Sequence, residues 1–395
     1  MHRRDFIKSS GLVTTSMLVP QFLKAAGSLG PHNGRSLVVL QLSGGNDGLN
    51  TVVPFRDDAY YNARPTLAVQ AGKVLRVNDD LGLNPGMGAI RSLFDEGLVT
   101  LINGLGYPNP DRSHFRSMDI WHTASSSDEY LSSGWLGRFL DAECTHPHEV
   151  LEFGSRSSLA GKGERSKAIS LTDPRRFHAA TSEPYFARLA AAGVGDDDHP
   201  QIGYLYKTLA ETYQSAGAIN EHLGSRKRTN AIYPNGQLAN QMRTIASFIL
   251  NGLDTRVYYA STGGFDTHVN QQGKHERTLA TVCDALAAFM HEMKANGREK
   301  DVLVMVFSEF GRRVKQNANN GTDHGTAGNI WLLGGALRTQ GFYNALPSLV
   351  DLDPNGDLKY SVDFRAVYAT LLADWLDADV AKVITPLPEP LSGLI

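Results

Sequence analysis

Four apolar runs, each joined to a cluster of acidic or histidine residues, constrain this chain more than any other feature. Leu37-Val38-Val39-Leu40-Gln41-Leu42 leads into Ser43-Gly44-Gly45-Asn46-Asp47. Val257-Tyr258-Tyr259-Ala260 leads into Gly263-Gly264-Phe265-Asp266-Thr267-His268, and Val302–Phe307 leads into Ser308-Glu309-Phe310-Gly311. The fourth cluster, Asp323-His324-Gly325-Thr326, precedes Ile330-Trp331-Leu332-Leu333. Continuous apolar runs of this length, punctuated by glycine, read as strands buried on both faces of a parallel sheet. Ligands of such sheets bind outside the carboxyl ends of the strands, which is where three of the clusters fall. Carboxylates and imidazoles gathered there could converge on a metal ion, so a metal-dependent hydrolytic site is the reading to test.

Elsewhere strand and helix signals alternate. Leu98–Ile102 reads as a strand running into a turn-rich loop from Gly104 to Pro110, and Val150–Phe153 and Ala168–Leu171 are weaker strand candidates. Leu279, Val282, Leu286, Phe289 and Met293 recur at spacings of three and four, predicting a helix over Glu276–Ala295 that ends at Asn296-Gly297. The strand at 301–307 follows directly, and this order implies a crossover and a parallel sheet. Residues 154–236 differ: they are rich in Gly, Ser, Ala, Asp and Arg, with polar breaks at Gly195-Asp196-Asp197-Asp198 and Gly224-Ser225-Arg226-Lys227-Arg228. They read as an insertion with helices around Tyr204–His222, capping the site. The basic run Arg226–Arg228 reads as a solvated loop. Because the clusters span Asp47 to His324, a cut into independent halves would split the site, and a single domain over 28–395 is expected.

At the amino terminus, Arg3-Arg4-Asp5-Phe6-Ile7-Lys8 matches a twin-arginine export motif. The weakly apolar stretch from Gly11 to Leu23 is shorter than the ~20 residues that span a bilayer, and Ala25-Ala26-Gly27 offers small residues for cleavage. The expectation is a signal peptide over 1–27, passage through the twin-arginine translocase, and work in the periplasm or outside the cell. The alternative is a frayed cytoplasmic helix. Cleavage would remove four basic residues and one acid, moving the formal charge from −3 to −6, which argues against nucleic acid or an anionic membrane as partner. Cys144 and Cys283 are too few for a disulfide framework, and Cys283 sits among apolar helix positions. No second run approaches transmembrane length, so no stable membrane span is expected.

Gly44-Gly45-Asn46-Asp47-Gly48-Leu49-Asn50, Arg112-Ser113-His114-Phe115, Gly264-Phe265-Asp266-Thr267-His268, Ser308-Glu309-Phe310-Gly311-Arg312 and Asp323-His324-Gly325 together resemble the bacterial DUF1501 family of the alkaline phosphatase/sulfatase superfamily. The likeness covers nearly the whole chain after the signal peptide. It implies an alkaline phosphatase-like α/β fold, a three-layer sandwich with a mostly parallel central sheet and an inserted helical or loop cap. It also implies metal-binding roles for Asp47, Asp266, Glu309 and His324, with paired cations clamping the attacking and leaving oxygens of an in-line displacement.

The chain departs from the superfamily pattern at two places. Asn270 stands where a second ligand in the Asp266 motif is usual, and His268 offers itself instead. Glu309-Phe310 replaces an Asp-His pair. The remaining ligand set, Asp47, Asp266, Glu309, His268 and His324, is rich in oxygen and raises Mn²⁺, Ca²⁺ or a single Zn²⁺ over two zinc ions. The superfamily's nucleophile position points to Ser113, at the start of a helix whose N–H groups would face an anion. Arg112 and Arg116 could hold phosphate or sulfate oxygens. Ser113 has a plain alternative as a helix cap, and His114 reads equally as nucleophile, general acid or structural donor. Asp323 reads as support for His324 or as a turn residue. His122, His146, His148, His178, His199, His222, His275 and His291 lack comparable context and read as structural. Sulfatases start their signature with Cys or Ser, whereas the nearest match here, Thr172-Asp173-Pro174-Arg175-Arg176, starts with Thr. The expected function is therefore metal-dependent hydrolysis of phosphate or related esters. The competing reading is an exported binding or assembly protein that kept the fold and lost turnover.

Overall fold

The computed structural model describes residues 34–191, 200–223 and 231–395. The expected signal peptide over 1–27, the acidic run Gly195–Asp198 and the basic run Arg226–Arg228 lie outside the described residues. Nine strands form the central sheet: β1 (Ser36–Leu42), β2 (Val99–Gly106), β3 (Val150–Phe153), β4 (Ile169–Leu171), β5 (Val257–Thr262), β6 (Val302–Phe307), β7 (Gly328–Leu333), β8 (Gly341–Phe342) and β9 (Val362–Asp363). Their order is β8-β2-β7-β6-β1-β5-β3-β4, with β9 also paired to β2. Every pairing is parallel except the two made by β7.

Alternation along the strands shows why the apolar runs are unbroken. Val38, Leu40, Val304 and Val306 face one core, which also holds Leu286 and Met290 from the helix Gln271–Ala295 and Met242 and Ile245 from Gln237–Asn251. Leu37, Val39, Leu303 and Met305 face the opposite core, with Ile120, Phe139, Val367 and Trp375. A strand covered on both faces has no solvent side, so each of its positions can be apolar. The result is a three-layer α/β sandwich. Cys283 lies in the first core, and both cysteines are free. Among the described residues no helix is long and apolar enough to cross a membrane.

The helix predicted over Glu276–Ala295 begins five residues earlier, at Gln271, and ends at Asn296 as expected. The second strand runs on to Gly106 rather than turning at Gly104. Gly104 takes a φ of +66°, and β7 and β9 both pair with this extension, so tertiary pairing holds a glycine-containing segment that sequence reads as a turn. The 154–236 segment carries β4 and the helices Pro174–Thr181, Pro184–Ala191 and Pro200–Glu221. Its described polar contacts run to Asp141, His148, Glu152 and Glu292 rather than to the four clusters. Asp173 of the sulfatase-like stretch caps the first of these helices through the Arg175 and Arg176 N–H groups.

One buried histidine makes the fold sensitive to acid. His122 is enclosed against the Tyr259 hydroxyl, 3.0 Å away, and burial lowers its pKa to about 4. In the unfolded chain the imidazole takes up its proton near pH 6.5. Its contribution to stability is thus complete above pH 6.5 and is lost as pH falls towards 4, by on the order of 3 kcal/mol. Denaturant titrations at pH 7 and pH 4 should show His122→Gln losing less stability than wild type over that interval. An identical pH dependence in the two proteins would contradict the assignment.

Candidate metal centre

The reversed direction of β7 assembles the site. Asp323 and His324 precede this strand, and because it runs against its neighbours its amino end lies at the carboxyl edge of the others. All four clusters, including the one that precedes its strand in sequence, therefore meet at one edge.

At the centre is Asp266 Oδ1. It lies 2.9 Å from His268 Nε2, 3.3 Å from His324 Nε2 and 3.6 Å from His114 Nε2. The Nε2 atoms of His268 and His324 are 3.0 Å apart. Ligand atoms of His114, Asp266 and His324 all fall within 4.8 Å of one another. For comparison, ligands ~2.0–2.1 Å from a tetrahedral Zn²⁺ stand about 3.3 Å from each other.

Hydrogen bonding on the far side of each ring fixes its lone pair. His114 Nδ1 donates to Glu309 Oε1 (2.9 Å), His268 Nδ1 to Asp323 Oδ1 (3.3 Å) and His324 Nδ1 to the Arg112 carbonyl (2.8 Å). Carboxylate and carbonyl oxygens accept, which favours the tautomer with the hydrogen on Nδ1 and the Nε2 lone pair turned inward. Burial lowers the pKa of His324, which disfavours the imidazolium that could otherwise relieve the crowding. Burial also works against ionisation of Asp266, but the Arg312 guanidinium more than offsets this and its pKa stands at about 2. These groups lie close together, the His114 Nε2 is buried and without a hydrogen-bond partner, and His114, Asp266 and His324 could hold a metal ion. Histidines backed by carboxylates and a carbonyl are the usual support of such sites.

The surroundings are rigid. Phe310 packs at ring distances of 4.9 Å from His114 and 4.7 Å from His324, forming an apolar wall. Gly44 and Gly45, at φ of +119° and +76°, let the loop after β1 pass beneath; a Cβ at Gly45 would run into the Phe310 ring.

Other expected site residues are placed differently. Asp47, expected as a ligand, is fully buried elsewhere: Oδ1 accepts from the Asn50 N–H at 3.3 Å, and Oδ2 accepts from Arg64 Nη1 at 2.7 Å and from Gln271 Nε2. The buried Arg64 cation claims it. Glu309, also expected as a ligand, accepts from the Gly44 N–H (2.8 Å) as well as from His114, and thus orients a ring rather than facing the centre. Asp323 supports His268 instead of His324. Arg116 is turned away from the site: it binds the carbonyls of Ser127 (2.9 Å) and Glu129 (2.5 Å) and lies 3.8 Å from the Tyr130 ring. Asn270 takes a left-handed conformation before the helix Gln271–Ala295, and its N–H bonds the Asn319 carbonyl. Ser113 starts the helix His114–Thr123 as expected, exposed and without a side-chain cap bond. Arg112 pairs with the buried Asp357 at 3.2 Å and remains about one-third exposed.

Three residues take roles that the sequence did not assign them. His114 joins the centre from a helix start remote from the other ligands. Arg312, which ends the Glu309 motif, reaches Asp266 Oδ1 at 2.6 Å with its side chain fully buried. Arg64 lies in a segment without any motif.

Solved structures give distant likenesses. The C-terminal periplasmic domain of EcEptC from Escherichia coli, in complex with Zn, aligns with a TM-score of 0.41 at 10% identity, covering 93% of this chain and 96% of that one. A protein in the alkaline phosphatase superfamily from Vibrio parahaemolyticus aligns at 0.42 and 10%, covering 92% and 71%. The PsFucS1 sulfatase from Pseudoalteromonas sp. aligns at 0.37 and 12%, covering 90% and 71%. No curated protein matches the sequence. Residues 34–374 match the family model described as "Protein of unknown function (DUF1501)".

Proposed function

We infer that this chain, which belongs to the DUF1501 family, is an exported hydrolase that cleaves phosphate or related sulfate or phosphonate esters with the help of a divalent cation. The observation that carries the reading is the convergence of three inward Nε2 atoms on Asp266 Oδ1. His114, Asp266, His268 and His324 would hold the ion. Three imidazoles and one carboxylate are donors for Zn²⁺ or Mn²⁺ rather than for Ca²⁺, which takes six to eight oxygens. When bound, such an ion polarises an ester oxygen and activates water.

The chain's own groups supply the rest. Ser113 exposes its hydroxyl one residue before His114 and is the candidate nucleophile, with water as the other. Arg112, anchored by Asp357 and partly exposed, is placed to hold an ester oxygen. Glu309, Asp323 and the Arg112 carbonyl keep each imidazole in the tautomer that presents Nε2. Export rests on the twin-arginine pattern at Arg3-Arg4 and the residues that follow. A second reading, an exported binding or assembly protein, draws support from Asp47 and Glu309, whose carboxylates serve internal contacts.

The test is elemental mass spectrometry of the purified protein, followed by screens with p-nitrophenyl phosphate, bis-p-nitrophenyl phosphate and p-nitrophenyl sulfate in Zn²⁺ or Mn²⁺. Bound metal, with turnover lost on chelation and restored by the ion, is expected. A metal-free protein that takes up neither ion would sink the metal reading. Bound metal without turnover on any ester would favour the binding protein.

A further inference from the structure

Two of the carboxylates expected as metal ligands, Asp47 and Asp266, are each paired with a fully buried guanidinium. Arg312 presents five donors, and the fold gives every one of its three nitrogens an acceptor: Nε bonds the Gly45 carbonyl (2.7 Å), Nη1 the Thr322 carbonyl (2.9 Å), and Nη2 the carbonyls of Gly44 and Phe265 together with Asp266 Oδ1. Its side chain is fully buried, so it cannot touch a substrate. Nη1 also stands 3.5 Å from His268 Nε2, next to the inward lone pairs. On the other side, Asp47 is paired with Arg64, itself fully buried and bonded to the carbonyls of Val314 and Arg313, both at 2.9 Å.

Four main-chain carbonyls and a carboxylate oxygen converging on one buried volume form the kind of oxygen-lined cradle that a hard cation occupies. Here a guanidinium fills it. The buried charge here is the guanidinium, which needs a partner of opposite charge, and the half-exposed Asp266 carboxylate provides it at 2.6 Å.

We propose that this site takes one divalent cation per chain, and that the Arg312 guanidinium stands in the place of a second. Arg312 is thus a positioning residue: it fixes Asp266 Oδ1 relative to the three imidazoles and keeps another ion out. The proposal rests on the metal-dependent reading above and adds the stoichiometry.

The experiment is equilibrium dialysis of the full chain against Zn²⁺ and, separately, Mn²⁺, with bound metal counted by elemental mass spectrometry. Wild type is expected to saturate at one ion per chain. Arg312→Ala, checked for native circular dichroism, is expected to bind two, because Asp266 and the four carbonyls are left facing a vacated volume. Arg312→Lys, which restores a charge there, is expected to return to one. Two ions in wild type would overturn this inference while leaving the metal-dependent reading intact, whereas none would overturn both. One ion in a folded Arg312→Ala protein would show that the guanidinium does not stand for a cation. Should that variant fail to fold, Arg312→Gln, which keeps hydrogen bonding but loses the charge, is expected to bind two ions, and one ion there would overturn the inference.

Discussion

Asp266→Ala protein is expected to come through purification without metal and without ester turnover. Asp266 Oδ1 is the atom on which all three inward Nε2 atoms converge, at 2.9, 3.3 and 3.6 Å. Removing it takes away the negative charge at the centre, leaving three imidazoles beside the Arg312 cation. Partners that merely orient ligands cost about 10–100-fold in metal affinity when lost. A ligand that is also the charge at the centre should cost more than about 100-fold. Truncation also strands Arg312, so loss of metal and misfolding have to be told apart; Asp266→Asn separates the two. The amide keeps an oxygen for Arg312 and the shape of the side chain, yet lacks the charge. It should melt close to wild type and still bind metal far more weakly. Isothermal titration with Zn²⁺ on both variants checks this, and wild-type affinity in a folded Asp266→Ala protein would remove Asp266 from the centre.

Arg64→Met is expected to destabilise the fold by about 3–5 kcal/mol, the cost of breaking a buried ion pair from one side. Arg64 and Asp47 are both fully buried, with Nη1 2.7 Å from Oδ2. Nη1 also reaches Asn50 Oδ1 at 2.7 Å, while Nε and Nη2 tie down the 313–314 backbone. Burial raises the cost of ionising Asp47, and Arg64 reverses that, holding the carboxyl below its usual range. Methionine fills much of the volume but leaves the carboxylate with Gln271 and the Asn50 N–H alone. A denaturant titration at pH 7 measures the loss, and Arg64→Met/Asp47→Asn should recover part of it because the stranded charge is gone. Equal stability of Arg64→Met and wild type would mean that water reaches Asp47.

The sheet was readable because burial on both faces writes itself into uninterrupted apolar runs. Val302–Phe307 and Leu37–Leu42 have every residue enclosed. The carboxyl ends of such strands pointed to three of the clusters, Asp266 and His268 among them, whereas His324 precedes its strand. What sequence did not carry was direction and pairing. The reversal of β7 depends on contacts with β2 and β6, more than two hundred and more than twenty residues away. Asp47 and Glu309 have the same local look as Asp266, a carboxylate just past a buried strand. They differ only through Arg64 and through His114 and the Gly44 N–H, partners brought in by tertiary packing. Arg64 had no pattern to betray it, since a single arginine in a polar segment is ordinarily a surface residue.

The reversed strand has a kinetic consequence. β7 sits inside the sheet, bonded to a segment from early in the chain on one side and to its near neighbour on the other. Seating it closes a loop of more than two hundred residues, a slow step because such closure must precede the contacts that reward it. His324 arrives at the centre only with that strand, and His114 only with the helix that follows β2. No stretch of nascent chain holds the donor set by itself. On the metal-dependent reading, capture of an ion would therefore wait until the sheet is complete.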